Sequence, residues 1–115
     1  MNIIFGNTHS LDSKHIVLEL DTIRIGINGP EQTAYCVVEN IPLQDMPIVE
    51  SLKESHYNLM AEYRSQNWTA CERIIAQLTG MWGGELDTFY EELSKRVSKY
   101  QQQTPGPDWS YIIQR

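Results

Sequence analysis

The stretch DMPIVESLKESHYNLMAEYRSQNWTACERIIAQLTGMWGGELDTFYEELSKRVSKY, residues 45–100, decides the fold of this chain. Its apolar residues recur at steps of three and four, the spacing that places side chains on one face of an α-helix. Three amphipathic helices in series are therefore predicted here. We expect the residues before and after this stretch to pack against these helices or to extend from them.

The first predicted helix begins near Asp45 and ends near Ser65 and Gln66. Asp is a favoured N-cap, and Pro47 is tolerated in a first turn because the N–H it lacks would be unpaired there. We interpret His56, on or beside the apolar face, as a hydrogen-bonded core histidine rather than a metal ligand. The apolar face consists of Ile48, Leu52, Leu59 and Tyr63, with Ser55 and His56 between them.

The second predicted helix follows Asn67, which can cap it, and stops at Gly80, since glycine is common just past a helix C-terminus. Its buried stripe consists of Trp68, Cys71, Ile74, Ile75 and Leu78. The loop that follows contains Met81 and Trp82 before a pair of glycines. We interpret these two large side chains as core filling, with a pocket or an interface as the alternative.

The third predicted helix has the clearest pattern, and its charges match its direction. Its apolar face consists of Leu86, Phe89, Tyr90, Leu93, Val97 and Tyr100. Acidic residues come first and basic residues last, which complements the helix dipole and adds pairs four residues apart. These residues are Glu85, Asp87, Glu91 and Glu92, followed by Lys95, Arg96 and Lys99.

The N-terminal part has the patterns of strands and turns. Asn2–Phe5 is a short apolar run ended by Gly6, and residues 7–13 are rich in turn formers. From His15 onward, apolar and polar residues alternate, which predicts a strand with one buried face. Thr33–Glu39 is predicted as a further strand.

The alternation changes parity at Asp21 and Thr22, after which Ile23 begins a second apolar set. A regular strand cannot change parity without turning its apolar set to the solvent. The two residues must therefore carry either a tight turn or sharp bend, which we favour, or a β-bulge. A second turn is predicted at residues 28–31, which read Asn-Gly-Pro-Glu.

Strands that precede helices along a chain are typical of the α+β class. We predict a small N-terminal antiparallel β-sheet followed by three α-helices packed on one face of it. Residues 1–115 form a single domain in this interpretation, with a β-rich part at 1–43, a helical part at 44–102 and an extended tail at 103–115.

Composition excludes several classes of function. The net charge of −6 and the lack of a basic run exclude a nucleic-acid backbone as partner. No apolar run approaches the length of about 20 residues that spans a membrane. We do not expect residues 1–6 to be a signal peptide, because no basic region precedes an apolar one there. Cys36 and Cys71 lie in apolar patterns without metal-type spacing, which predicts reduced thiols in the cytoplasm, with a disulfide as the alternative.

Two groups of residues contain the types found in known sites. His9, His15 and Glu19 are metal-ligand types, but their spacing matches no ligand motif. Asp12 and Ser13 with either histidine contain the types of a hydrolase triad, but no nucleophile elbow is present. We therefore predict no catalytic residue, no metal site and no cofactor.

The pattern favours a non-catalytic protein-interaction module that binds a protein partner or forms a homo-oligomer. A sheet of so few strands leaves an open edge, and large aromatic side chains lie near helix ends and in the tail. A small enzyme with a pocket in the α+β core is the alternative, and an acidic nucleic-acid mimic would need carboxylates on one face. The candidate interface residues are Met81, Trp82, Trp109, Tyr111 and Ile112.

Part of the helical region resembles a tetratricopeptide unit. Residues 63–78 are similar to its turn and second helix, with an aromatic at Tyr63 and Trp68 opening the next helix. Cys71 stands where that family usually has Ala, and Asn67 occupies the area of its usual glycine. Together with the helix and Pro-Asp-Trp tail that follow, the resemblance covers residues 57–109 and implies a helical hairpin, with no catalytic residue.

A second resemblance covers nearly the full length. Residues 5–14, 18–22 and 82–90 are similar to segments of small uncharacterised proteins carried by tailed phages of marine bacteria. This resemblance implies a viral accessory protein in the cytoplasm of a bacterial host. No activity and no site residue follow from it.

Overall fold

A computed structural model describes residues 2–6, 16–39 and 41–114 and confirms the α+β class. The predicted turn-rich loop at residues 7–13 and the predicted strand start at His15 lie outside the described residues. The candidate ligand and triad residues His9, Asp12, Ser13 and His15 lie there as well. The chain groups into two compact units, residues 1–39 with 110–115 and residues 40–109. The single-domain organisation stays a prediction.

The first unit is a four-stranded sheet with the order β1-β3-β2-β4. Its strands are β1 (Asn2–Phe5), β2 (Ile16–Arg24), β3 (Glu31–Val38) and β4 (Ile113–Gln114). The first three pair antiparallel, but β4 runs parallel to β2. The predicted antiparallel sheet is thus a mixed one, because the last residues of the tail return to the sheet and add a strand.

The parity change in β2 is a β-bulge, so the favoured turn or sharp bend is wrong. Glu19 pairs with Tyr35 and Thr22 with Thr33, so two residues of β2 face one residue of β3. This extra residue changes the parity while the strand continues. Beyond the bulge the hydroxyl oxygens of Thr22 and Thr33 lie 3.2 Å apart, within hydrogen-bond distance.

Residues 25–30 connect β2 to β3, and the predicted turn lies within this hairpin. Gly29 cannot be replaced here, because a Cβ atom would lie 1.7 Å from the carbonyl oxygen of Ile25. Ile25 and Ile27 continue the second apolar set that begins at Ile23, so the sequence predicts them on a strand face. They lie instead in the connection and are 67% and 92% exposed.

The second unit consists of three α-helices, α1 (Val49–Arg64), α2 (Trp68–Leu78) and α3 (Asp87–Gln102). A 3-10 segment, Leu43–Ile48, precedes α1, and a short 3-10 turn, Trp82–Gly84, precedes α3. The predicted start of the first helix at Asp45 is therefore wrong. Asp45 and Pro47 lie in the 3-10 segment, and the N-cap of α1 is Ile48, which is 41% exposed rather than buried.

The predicted buried faces of α2 and α3 are confirmed, apart from Tyr100, which is half-buried. Asn67 precedes α2 as predicted, although its side chain makes no capping hydrogen bond with the described residues. Gly80 follows α2 with φ +88°, a conformation that glycine adopts without strain. On the surface of α3, Lys95 lies 3.7 Å from Glu91 and 3.6 Å from Glu92.

Candidate functional site

A buried hydrogen-bonded group lies in the helical unit. The hydroxyl oxygen of Tyr90 on α3 lies 2.9 Å from Nδ1 of His56 on α1 and accepts the indole N–H of Trp82 at 3.2 Å. Tyr90 and Trp82 are fully buried, and His56 is 2% exposed. Because an indole N–H can only donate, the hydroxyl proton of Tyr90 is available to Nδ1 of His56. We assign His56 as neutral, with its own proton on Nε2.

Burial lowers the pKa of His56 from 6.5 to about 4, because an imidazolium in this position would lose its hydration. The sequence-based interpretation of His56 as a hydrogen-bonded core residue is confirmed. A neutral, enclosed imidazole cannot reach a substrate in the solvent, so this group stabilises the fold.

An open groove of about 460 Å³ lies along α2 and α3. Its lining residues are Ile75, Thr79, Asp87, Tyr90, Glu91, Ser94 and Lys95. Titratable groups therefore gather in a concave site, which is the feature that the small-enzyme alternative requires. The carboxylate of Asp87 accepts the N–H of Gly80 at 2.8 Å, and Lys95 lies close to Glu91. These local pairs involve Asp87, Glu91 and Lys95 within the helical unit. The small-enzyme alternative stays without an assigned base or nucleophile.

Four aromatic rings form a cluster, which we call the Trp109 cluster, at the other end of the helices. Trp109, from the tail, lies 5.5 Å in centroid distance from each of the rings of Tyr63, Trp68 and Tyr100. All three contacts are edge-to-face, the arrangement that aromatic quadrupoles favour. Gln66 also donates a hydrogen bond to the carbonyl oxygen of Gly106 at 3.2 Å, which holds the tail beside the cluster.

The five predicted interface residues occupy different environments. Trp82 is fully buried, so its side chain cannot contact a partner while the helical unit is folded. Met81, Trp109, Tyr111 and Ile112 are half-buried, and Trp109 packs within the helical unit itself. Met81, Trp82 and Trp109 belong to the helical unit, whereas Tyr111 and Ile112 belong to the sheet unit.

The large apolar side chains that are exposed lie elsewhere. They occur on β1, in the β2–β3 connection, in the 3-10 segment and on α1, and they are Ile3, Phe5, Ile25, Ile27, Leu43, Met46, Ile48 and Tyr57. Sequence reasoning missed them as a surface because each lies in a pattern that also suits a buried strand or helix face. One feature of the sequence could have identified β1 as an exposed edge strand: residues 2–5 are an uncharged run that ends at Gly6.

The outer side of Asn2–Phe5, which we call the β1 edge, is not covered by any described strand. Within the described residues β1 pairs with β3 alone. Gly6 donates its N–H to the carbonyl oxygen of Thr33 at 3.2 Å. Because the direction of the peptide groups alternates along an antiparallel ladder, Ile4 also faces β3, whereas Ile3 and Phe5 turn N–H and C=O outward.

The side chains of the β1 edge belong to the buried face of the sheet. Ile3 lies opposite Cys36 and Phe5 opposite Ala34, so each pair shares one face. Cys36 and Ala34 are 0% and 5% exposed, whereas Ile3 and Phe5 are 46% and 54% exposed. An apolar face thus continues from the centre of the sheet to its edge, where it meets the solvent.

Within the described residues, no three His, Cys, Asp or Glu side chains are grouped so that they could hold a metal ion. Cys36 and Cys71 are both buried, and neither forms a disulfide with a described residue. No described helix is long and apolar enough to cross a membrane.

Comparison of the chain with protein-family models, with curated proteins and with solved structures finds no match.

Proposed function

We propose that this chain is a non-catalytic protein-interaction module that binds a strand of another polypeptide through the β1 edge. The observation that carries this proposal is the outward direction of the peptide groups of Ile3 and Phe5, next to their half-exposed apolar side chains. An added strand would hydrogen-bond to these peptide groups and cover the two side chains at the same time.

The contrast with the other side of the sheet supports this choice of edge. Natural proteins protect edge strands with charges, bulges or proline. Among the described residues, β2 pairs on its outer side with β4 only at Ile23 and Arg24, but it contains the bulge and carries Glu19 and Asp21. The β1 strand contains none of these protective features.

The cellular setting is also a proposal. Cys36 and Cys71 are buried and form no disulfide with a described residue, which is consistent with a reducing cytoplasm. Together with the sequence resemblance to phage proteins, this supports our proposal that the module is an accessory protein in the cytoplasm of a bacterial host.

Affinity capture tests the interaction proposal. The tagged chain is incubated with a bacterial lysate to which an untagged copy has been added, and retained proteins are identified by mass spectrometry. The wild type is compared with Phe5→Lys on the β1 edge and with Gln32→Lys, an exposed position of β3 that makes the same change in charge.

We expect the wild type and Gln32→Lys to retain the same protein, either a host protein or the untagged copy. Phe5→Lys should lose it, because a charged side chain at this position protects a strand edge against pairing. Retention of the same protein by Phe5→Lys, or no retention by the wild type, would overturn the proposal.

A further inference from the structure

We propose that the strand received by the β1 edge is the β1 edge of a second copy, paired antiparallel about a two-fold axis through Ile4. This inference rests on the proposed function, because it names the partner of the same edge. The two sheets would then join across the axis into one continuous sheet.

The direction of the peptide groups selects this register. With the axis at Ile4, Ile3 lies opposite Phe5 of the second copy, and both residues turn N–H and C=O toward each other. In such a pair, each residue donates its N–H to the C=O of the other. The two-fold symmetry produces a second, identical pair on the other side of the axis. With the axis at Ile3, Ile3 would lie opposite Ile3 of the second copy, and Phe5 would have no described residue opposite it. An axis at Phe5 would in the same way leave Ile3 without a described residue opposite it.

The side chains fit the same register. Ile3 of one copy lies beside Phe5 of the other on the face that buries Cys36 and Ala34, which gives two pairs of a β-branched and an aromatic residue. Cross-strand pairs of this kind stabilise antiparallel strands. The pairing would also cover the apolar side chains that the isolated sheet leaves half-exposed.

Charge favours this edge as the contact between identical chains. Each copy carries a net charge of −6, so two copies repel each other wherever their acidic residues approach. Residues 2–6 contain no charged side chain, and close approach along them brings no like charges together. On the opposite side of the sheet, Glu19 and Asp21 of two copies would face each other.

Sedimentation of the purified chain at micromolar concentration tests the register. We compare the wild type with Ile3→Lys, with Phe5→Glu and with an equimolar mixture of the two variants. Each variant alone places a charge opposite an apolar side chain twice per dimer. In the mixed pair Lys lies opposite Glu once, and the natural Phe5–Ile3 pair is kept once.

We expect twice the monomer mass for the wild type, the monomer mass for each variant alone, and recovery of the doubled mass in the mixture. A monomeric wild type or a monomeric mixture would overturn the inference. If a monomeric wild type still retains a host protein in the capture experiment, the proposed function stands and only the self-pairing fails.

A second pair of variants tests the hydrogen bonds between the two β1 strands without adding charge. Phe5→Pro deletes an N–H that points away from β3, so no bond between β1 and β3 is lost. Phe5→Ala removes the same ring and keeps the N–H. We expect a larger loss of dimer for Phe5→Pro than for Phe5→Ala, with unchanged circular dichroism for both, and equal losses would overturn the register.

Discussion

The Nδ1 atom of His56 lies 2.9 Å from the hydroxyl oxygen of Tyr90, 34 residues further along the chain. This bond joins α1 to α3 inside the helical unit, where both side chains are buried. The same hydroxyl also accepts the indole N–H of Trp82. Buried polar groups cost free energy unless they are hydrogen-bonded, so the stability of the unit depends on all three residues.

Folding stability should decrease as the pH falls from about 6.5 to about 4, because of His56. In this range the unfolded chain binds a proton on His56 and the folded chain does not, so protonation favours unfolding. Above 6.5 the contribution is fully present. By linkage the total loss is about 3 kcal/mol, measured as the free energy of unfolding in urea across this range.

His56→Gln is the control for the pH dependence, because an amide can accept the Tyr90 hydroxyl proton but does not titrate. We expect this variant to show a smaller loss of stability between neutral and acidic pH. An equal loss in the wild type and in His56→Gln would assign the acid sensitivity to other groups.

Tyr90→Phe should lower the free energy of unfolding by about 1–3 kcal/mol for each buried group that it leaves unpaired. The hydroxyl is the acceptor of Trp82 and lies within hydrogen-bond distance of His56. Tyr57→Phe removes the same hydroxyl at a residue that is 71% exposed, and it should change little. Equal urea midpoints for the two variants would contradict a structural role for the buried hydroxyl.

Leu93→Ala should cost about 2–5 kcal/mol, because Leu93 is fully buried in α3 and its loss leaves a cavity. Leu43→Ala is the matched control, since Leu43 is 87% exposed, and its effect should stay within about 0.5 kcal/mol. Urea denaturation measures both. A Leu93→Ala midpoint that matches the wild type would show that this face of α3 is not part of the core.

How far the sequence predicts this structure depends on the range of the interactions involved. The stripe of α3 is visible because its spacing is local, and Leu93 lies where the pattern places it. The parallel pairing of Ile113 with Ile23 joins residues 90 positions apart in sequence, and no local pattern encodes it. The bulge in β2 lies between Glu19 and Thr22, so it is displaced by one residue from the predicted position at Asp21 and Thr22. The sequence could not distinguish a turn from a bulge, because both satisfy the same parity change.

The candidate site was harder to predict for a related reason. An isoleucine such as Ile3 has the same sequence signature whether its strand lies at the centre or at the edge of a sheet. Only the strand order makes it an edge residue. Conversely, Trp82 lies in a loop between helices, where both core filling and an interface were considered. Its indole N–H bonds to Tyr90 in the interior, which confirms core filling for this residue.

Cys36 and Cys71 should resist alkylation while the chain is folded and react fully once it is denatured without reductant. Both side chains are 0% exposed. Burial, followed by the nearby charge of Glu62, raises the pKa of Cys71 to about 12, so its reactive thiolate is scarce at neutral pH. Mass spectrometry after alkylation measures this. Two thiols that stay blocked in denaturant would indicate a disulfide and would contradict a reducing compartment.

Trp109→Ala should destabilise the helical unit by about 2–4 kcal/mol, because the substitution removes three edge-to-face contacts, each worth about 0.5–1.5 kcal/mol. Trp109→Phe keeps a ring in the Trp109 cluster and should lose less. Urea denaturation measures the difference between these variants.

The same two variants separate the tail from the β1 edge as the contact surface, because Trp109 packs on Tyr63, Trp68 and Tyr100 of its own chain. At a temperature where both variants remain folded, sedimentation should give the wild-type mass for each. A monomeric Trp109→Ala with an unchanged urea midpoint would place the interface on the tail, one of the two surfaces that the sequence suggested, and would remove the argument for the β1 edge.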